Sequence, residues 1–414
     1  MLDLKQIRSE PDAVRAALAR RGADGPLDRV LELDARRRAI LPGLEGIQAE
    51  QNAASKAIGA AKQRGEDAGA AIAAMQDVAA RGRALSDELA GVEAQLDAAL
   101  AELPNLPAPD APLEDTVIKE VGAAGRAGLD HLELAGPMID METAARVSGS
   151  RFAYLKGGLV MLELALVRFA LETLTAEGFE PVIPPVLVRE AALFGTGMLP
   201  DTEQQIYGLP DDELYLVGTS EVALASLHAG EILGAGDLPR RYAGFSPCFR
   251  REAGAAGKDT RGIFRVHQFD KVEMFAFVEP AASPDEHERL LAIEEGILQS
   301  LEIPYRVVNI AVGDLGASAA KKYDCEAWLP GQERFRELTS CSNTTDFQAR
   351  RLDIRFRAEG EKRPRTIHTL NGTAVAVGRT IIALLENGQQ EDGSVVLPAP
   401  LVACGAPATL GPAS

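Results

Sequence analysis

Two hydrophobic periods divide this chain. From Leu27 to about Arg64 one seven-residue stripe runs through Leu33, Ile40, Ile47, Ala54 and Ala61, and a second through Val30, Arg37, Leu44, Gln51 and Ile58. The pattern resumes in Val78, Leu85, Val92 and Ala99, with Met75, Gly82, Leu89, Leu96 and Leu103. Between the two sets, Arg64-Gly65-Glu66-Asp67-Ala68-Gly69 supplies a turn. Stripes that repeat on average every 3.5 residues predict an antiparallel coiled coil, each helix about 50 Å long at about 1.5 Å per residue. Pro42, beside Gly43 and Gly46, predicts a kink, because its ring removes a donor and crowds the carbonyl of Arg38. Residues 1–26 read as a short helical cap, with a helix start at Ser9-Glu10-Pro11-Asp12. The arm therefore occupies 1–103 (coiled coil 27–103). The proline-rich linker 104–112 follows, and a second domain spans 113–414.

Beyond the linker the period changes to two. Phe245 to Phe277 reads as two extended segments joined by a glycine-rich charged loop. In the second segment Phe264, Val266, Val272, Met274 and Ala276 alternate with Arg265, His267, Phe269, Lys271 and Glu273. Such alternation predicts a strand with one face on a core. The other face carries an aromatic ring and a carboxylate roughly 13–14 Å apart, the span of a nucleotide with a small acid on its phosphate. Leu159–Ala176 reads as a helix and 178–188 as an extended segment that Pro184 and Pro185 bar from a central strand position. Short apolar strands at 214–218, 305–312, 323–329 and 333–340 complete an α+β domain on an antiparallel sheet. No Walker sequence is present, so a nucleotide is not held on a P-loop.

At 414 residues and 46% hydrophobic, the chain can bury a large core. No apolar run reaches the roughly 18 residues of a membrane span, and the start, MLDLKQIRSEPDAV, is too polar for a secretory signal. Cys248, Cys325, Cys341 and Cys404 are scattered without the spacing of a structural zinc site, which suits a reducing cytoplasm. A formal charge of −18 leaves little attraction for phosphates in general, so any nucleic acid is held by local patches and shape.

Gly218-Thr219-Ser220-Glu221, Phe249-Arg250-Arg251-Glu252, the stretch HQFDKVE over 267–273, SCSN-x-x-DFQARR over 340–351 and Asn371-Gly372-Thr373 with Gly378-Arg379 and Leu384-Leu385-Glu386 follow in that order. Together they resemble the three motifs of the class II aminoacyl-tRNA synthetases, and their wording resembles the serine-specific family. The likeness spans essentially the whole chain. It implies a coiled-coil arm that binds the long variable region of the tRNA, ahead of a class II catalytic domain on an antiparallel sheet. The implied reaction is serine–tRNA ligation: L-serine and ATP give seryl-adenylate and pyrophosphate, and serine then passes to the 3′ end of serine tRNA. A selenocysteine tRNA is a further possible acceptor. The helix–strand unit ending at Pro185 implies a homodimer. No membrane or DNA partner is implied.

By the same resemblance, Arg250 and Arg379 are the catalytic residues. Arg250 holds the α-phosphate, and Arg379 reaches the far phosphates and covers one face of the adenine. Phe269 stacks on the other face, and Glu252 accepts from the adenine amino group. Arg251, Val266, Leu338 and Thr339 join these in the ATP-binding segments, while Glu337 and Ser340 match a magnesium-binding pair. Thr219, Ser220, Glu221, Glu273 and Thr373 match the serine-binding set. A humbler reading makes Thr373 and Thr219 helix caps, near Ala374 and Val222. Arg251 replaces a usually small residue. The loop 253–262, with Lys258 and Arg261, would meet the acceptor end of the tRNA. Arg36, Arg37, Arg38, Lys56, Lys62, Arg64, Arg81 and Arg83 on the arm are candidate phosphate contacts, or a solvated helix face. Two rivals remain: a ligase that loads an amino acid onto a carrier protein, and a coiled-coil adaptor with an inactive synthetase domain.

Overall fold

The computed structural model describes residues 1–411 apart from 66, 126, 202–203, 254–258 and 260. Glu66 in the predicted turn and Lys258 in the charged loop thus lie outside the described residues. By its internal contacts the chain divides into two units, one covering Leu2–Pro104 and the other Asn105–Ser414 together with Met1.

The N-terminal unit consists of α1 (Leu4–Ser9), α2 (Pro11–Ala19), α3 (Leu27–Gln63) and α4 (Gly69–Glu102). Asp3 caps α1 by accepting from the backbone N–H of Lys5, and Pro11 opens α2 where its missing donor costs nothing. Every position of the two predicted stripes is buried or half-buried, so α3 and α4 pair along the expected seam. At Gly82 the helices come so close that a Cβ would lie 3.1 Å from Ile47 Cγ2. Salt bridges lace the edges: Arg36 to Glu88 at 2.8 Å, Arg37 to Glu93 at 2.8 Å and Arg81 to Glu50 at 3.0 Å. Arg38 and Arg8 grip the buried Asp34, each at 2.9 Å. Four of the arginines singled out as phosphate contacts are thus already paired with acids of the arm. The helix α3 continues through Pro42, so the missing hydrogen bond to Arg38 does not end it.

The larger unit is built on an eight-stranded sheet. Its strands are β1 (Thr116–Val121), β2 (Glu180–Val182), β3 (Arg240–Phe249), β4 (Gln268–Val278), β5 (Tyr305–Asn309), β6 (Lys321–Leu329), β7 (Arg334–Thr345) and β8 (His368–Ala376). Their order is β1-β5-β6-β7-β8-β4-β3-β2, antiparallel except where β2 pairs with β3. Pro181, Pro184 and Pro185 explain why β2 is a three-residue edge strand: prolines cannot donate to a second neighbour. Four helices matter to the site: α5 (Gly158–Ala176), α6 (Glu221–Ala225), α7 (Ser283–Ser300) and α8 (Val377–Gly388). Among the described residues no helix is long and apolar enough to cross a membrane.

The strand β4 shows how alternation makes both core and site. Val272, Met274, Ala276 and Val278 face the main core, shared with α5, α7 and α8. Phe275 and Phe277 point the other way, into a second core with Leu224 and Phe356. Ahead of them on that face come Phe269, Lys271 and Glu273, which line a cleft. The expected strand is shorter than predicted, however. Phe264 to His267 are not in a strand. Phe264 and Val266 are buried loop residues that also line the cleft, so their apolar alternation reflects burial rather than a pleat.

Candidate active site

The cleft opens to solvent and is lined from β4, β7, β8 and the starts of α6 and α8. Its floor is the exposed segment of β4, flanked by β8 on one side and β3 on the other. Pairing fixes the floor: Glu273 lies opposite Thr373 and Lys271 opposite Ser246, with a register shift between Val272 and Glu273.

At the deep end carboxyl groups converge. Glu221, at the start of α6, accepts from Gln348 Nε2 at 2.7 Å and from Asn371 Nδ2 at 3.0 Å. Glu273 Oε2 accepts from Thr373 Oγ1 at 3.5 Å and from Lys271 Nζ at 2.5 Å. The Lys271 ammonium also donates to Thr219 Oγ1 at 2.7 Å. Burial, reinforced by the charge of Glu273, pushes the Glu221 carboxyl up to about 7, against the Gln348 bond and the nearby Lys271 and Arg250 cations. Below this layer the wholly buried Glu294 accepts from Thr339 Oγ1 at 2.9 Å, and burial holds its carboxyl well above the usual range.

The outer end is cationic and aromatic. Arg250 leaves β3, donates its Nε to Gly218 O at 3.1 Å and sits with its guanidinium 5.3 Å from the Phe269 ring centre. Arg379, in the first turn of α8, lies 4.7 Å above Phe264 and donates to Glu337 O at 3.0 Å. Its Nη1 is also 3.1 Å from Glu337 Oε1. Burial opposes ionisation of Glu337, but the Arg379, Lys322 and Arg250 charges outweigh it and hold the carboxyl below its ordinary range. Glu252 adopts a left-handed backbone with φ of 50° and receives Arg265 Nη1 at 2.6 Å. A non-glycine residue there is strained, and such strain gathers at sites where a side chain must be aimed. Behind the loop, buried His131 contacts Glu386 Oε1 through Nδ1 at 3.2 Å and accepts from the Ile263 N–H at 3.3 Å. It thereby ties α8 to the start of the Ile263–His267 segment.

Of the residues singled out from sequence, Thr219, Glu221, Arg250, Glu252, Val266, Phe269, Glu273, Glu337, Leu338, Thr339, Ser340, Thr373 and Arg379 all line this one cleft. Two do not. Ser220 is fully buried, and its Oγ lies against Gly244, 3.1 Å from where a Cβ there would stand. Arg251 is exposed, its backbone N–H bonded to Gln205 O at 2.8 Å. The capping alternative fails for Thr373, which lies inside β8, three residues before the N-cap of α8 at Ala376. Thr219 Oγ1 does accept from the Glu221 N–H at 3.2 Å, yet it simultaneously holds Lys271. Lys271, Asn371, Gln348, Phe264 and Arg265 were not singled out for the site. The period-two pattern already placed Lys271 between Phe269 and Glu273, and Asn371 and Gln348 stand in the motif wording. For Arg265 and Phe264 no local signal exists.

Known proteins match both units. Residues 1–107 match the family model for the seryl-tRNA synthetase N-terminal domain, and residues 207–388 that for the tRNA synthetase class II core domain (G, H, P, S and T). The serine–tRNA ligase of Thermobifida fusca is 49% identical over 96% of each chain, and that of Rubrobacter xylanophilus 48% identical over the full length of both. The crystal structure of seryl-tRNA synthetase from Pyrococcus horikoshii complexed with ATP superposes with a TM-score of 0.93 at 42% identity, covering all of both chains. A cytoplasmic serine–tRNA ligase from Naegleria fowleri in complex with AMP follows at 0.87 and 31% identity, covering 100% of this chain and 99% of that one.

Proposed function

Since this chain belongs to the seryl-tRNA synthetase family, a serine–tRNA ligase, we propose that its cleft binds L-serine at the Glu221–Glu273 end and ATP at the Arg250–Arg379 end. The observation that carries this division is the cross-strand pair Glu273–Thr373 lying beside Glu221, on the strand face that also carries Phe269, in a cleft that two arginines line. The experiment that tests it is ATP–pyrophosphate exchange screened across amino acids, with serine the expected dependence.

The roles follow from the chemistry each side chain can perform. The serine carboxylate is ionised at neutral pH, so the first step needs no protein base. One carboxylate oxygen attacks the α-phosphorus, an O–P bond forms, and the bond to pyrophosphate breaks. Arg250 offers its guanidinium fork to the phosphorus centre, where charge accumulates, and Arg379 to the departing phosphates. In the second step the 3′-terminal hydroxyl of the tRNA attacks the acyl carbon and AMP leaves. Phe269 presents a ring face to the adenine, and Glu252, aimed by Arg265, accepts from its amino group. Glu337 and Ser340 supply the oxygen donors that magnesium favours, so they would hold the ion that neutralises phosphate charge.

Glu221 and Glu273 receive the serine α-ammonium and hydroxyl, with Thr373 completing the hydroxyl contact. Thr373→Val keeps the shape and removes one partner, so serine activation should fall by roughly 1–3 kcal/mol, read as kcat/KM for serine, with KM for ATP near normal. Unchanged serine kinetics would leave Thr373 outside the site. A pH dependence is also expected. With its carboxyl near 7, Glu221 holds a proton in more acidic solution, and an arriving ammonium must displace it. The KM for serine should therefore climb about tenfold per pH unit below pH 7 and level off above it. A flat profile from pH 6 to 8 would exclude this coupling.

The chain is inferred to work as a homodimer. The helix α5 buries Leu159, Leu162, Leu166 and Leu174 at helical spacing but also exposes Val160, Met161 and Leu164 on its outer face. Ile183, just past β2, is 83% exposed nearby in sequence. An apolar surface of this kind marks an interface. Sedimentation should give twice the 44.0 kDa chain mass, and Met161→Glu with Leu164→Glu should shift it to monomer. All four cysteines are free, which suits a reducing cytoplasm.

A further inference from the structure

Lys271 has no role in the division of labour above, yet its ammonium group is the most deeply placed cation of the cleft. Its side chain is 8% exposed, and the Glu273 side chain it touches is 3% exposed. An ammonium buried this far is costly unless its donors are occupied. Here one proton goes to Glu273 Oε2 at 2.5 Å and another to Thr219 Oγ1 at 2.7 Å. Glu273 belongs to β4, whereas Thr219 belongs to the segment that leads into α6. Lys271 is thus a strut between two elements that each carry a serine contact.

Titratable groups gather around it. Glu221 from α6, Glu273 from β4 and, one layer deeper, Glu294 from α7 face this region, with the Cys248 thiol on β3. Burial holds the Glu294 carboxyl well above its ordinary range and pushes the Cys248 thiol up. Arg250, the other nearby cation, is anchored through Nε to Gly218 O and over the Phe269 face, and its charge also favours ionised Glu221. From β8, Asn371 and Thr373 contribute only neutral groups. Of the two buried carboxyl groups, Glu273 touches the lysine, while Glu221 is held by the neutral amides of Gln348 and Asn371.

We propose that Lys271 is a positioning residue for serine: it braces Glu273 against Thr219 and leaves Glu221, held by neutral amides, to receive the substrate ammonium. The inference rests on the functional reading above. It explains why a cation lines a pocket that must attract another cation. Without Lys271 the two carboxyl groups would repel, one would retain a proton, and Glu273 would lose the brace that points it at the substrate.

The test uses full-length Lys271→Met, Lys271→Gln and Lys271→Arg in ATP–pyrophosphate exchange between pH 6 and 9. Lys271→Met should raise the serine KM about tenfold or more, the scale of a lost charged hydrogen bond, with KM for ATP within about twofold. The acidic limb of kcat/KM for serine should also move to higher pH, because a cation that favours ionised Glu221 is gone. Lys271→Arg, which keeps the charge, should leave that limb in place even if its KM rises. A side chain that merely fills space would not move the limb. Should Lys271→Met not fold, as judged by loss of a cooperative melt, Lys271→Gln is read by the same criteria. A serine KM within about twofold of wild type with an unmoved limb overturns the proposal. If wild-type exchange is itself independent of serine, the functional reading fails instead, and the two failures are distinct.

Discussion

Arg250→Lys is expected to slow serine-dependent pyrophosphate exchange by more than tenfold, and Arg250→Ala by about 10²–10³, the range for removing one preorganised donor from a developing charge. The structure explains why lysine is no substitute. Arg250 is anchored through Nε to Gly218 O at 3.1 Å and rests over Phe269, which leaves the two terminal nitrogens as a rigid fork directed at the cleft. An ammonium on a flexible stem carries the charge but can satisfy either the anchor or the phosphate, not both in one geometry. The loss should appear in kcat, because the contact strengthens as charge builds on phosphorus, with a smaller change in the KM for ATP. Wild-type exchange rates in Arg250→Lys would remove this residue from the chemistry.

Shortening the arm should have the opposite profile. The small helices α1 and α2 bury Ile7, Val14 and Leu18 in the unit that also buries Leu27, Val30 and Leu33, and Arg8 binds Asp34, so the base must be kept. Gly43 stands against Leu85, its nearest Cδ1 being 3.7 Å from a Cβ built there. Deleting residues 45–84 and joining Leu44 to Leu85 through a short glycine linker therefore removes the distal arm at a matched level. Pyrophosphate exchange should stay within about twofold, since every residue of the cleft lies beyond residue 197, whereas transfer of serine to tRNA should fall by a hundredfold or more. With a formal charge of −18, the rest of the protein has little general attraction for RNA to make up the loss. Near-normal charging by the shortened protein would reduce the arm to a stalk and revive the carrier-protein alternative.

Much of this was legible where a local period carries the information. The heptad stripes anticipated the α3–α4 seam residue by residue, and the alternation around Phe269 and Glu273 anticipated the floor of the cleft. Contacts made across the fold were not legible. Gln348 holds Glu221 from 127 positions away, and His131 reaches Glu386 across 255. No spacing rule links such pairs, because the strand order brings them together only after the sheet has formed. The alternation makes Arg265 one odd position of a strand. In the structure it belongs to an irregular segment and turns back to Glu252, which the motif wording names without saying what aims it. The alternation at Phe264 and Val266 misled for a related reason: burial on one side of a loop can imitate a pleat.

The seam of the arm changes character along its length. Near the base the two helices bury Val30, Leu33 and Ile40 from α3 and Val92, Leu96 and Ala99 from α4, and Ile47 lies further out beside Gly82. Between Ile47 and Val92, Ala68 is the one buried position among the described residues, and the stripe there (Gln51, Ala54, Ile58, Ala61, Met75, Val78, Gly82, Leu85 and Leu89) is only half-covered. The distal helices are thus held by backbone propensity and a half-covered contact rather than a fully buried core. Amide hydrogens there should exchange through local opening well before those of the base, as a separate cooperative unit. An RNA that settles on this part would order it at the moment of docking, so slowed exchange in the distal helices, with the base unchanged, is the signature that a cognate tRNA would leave.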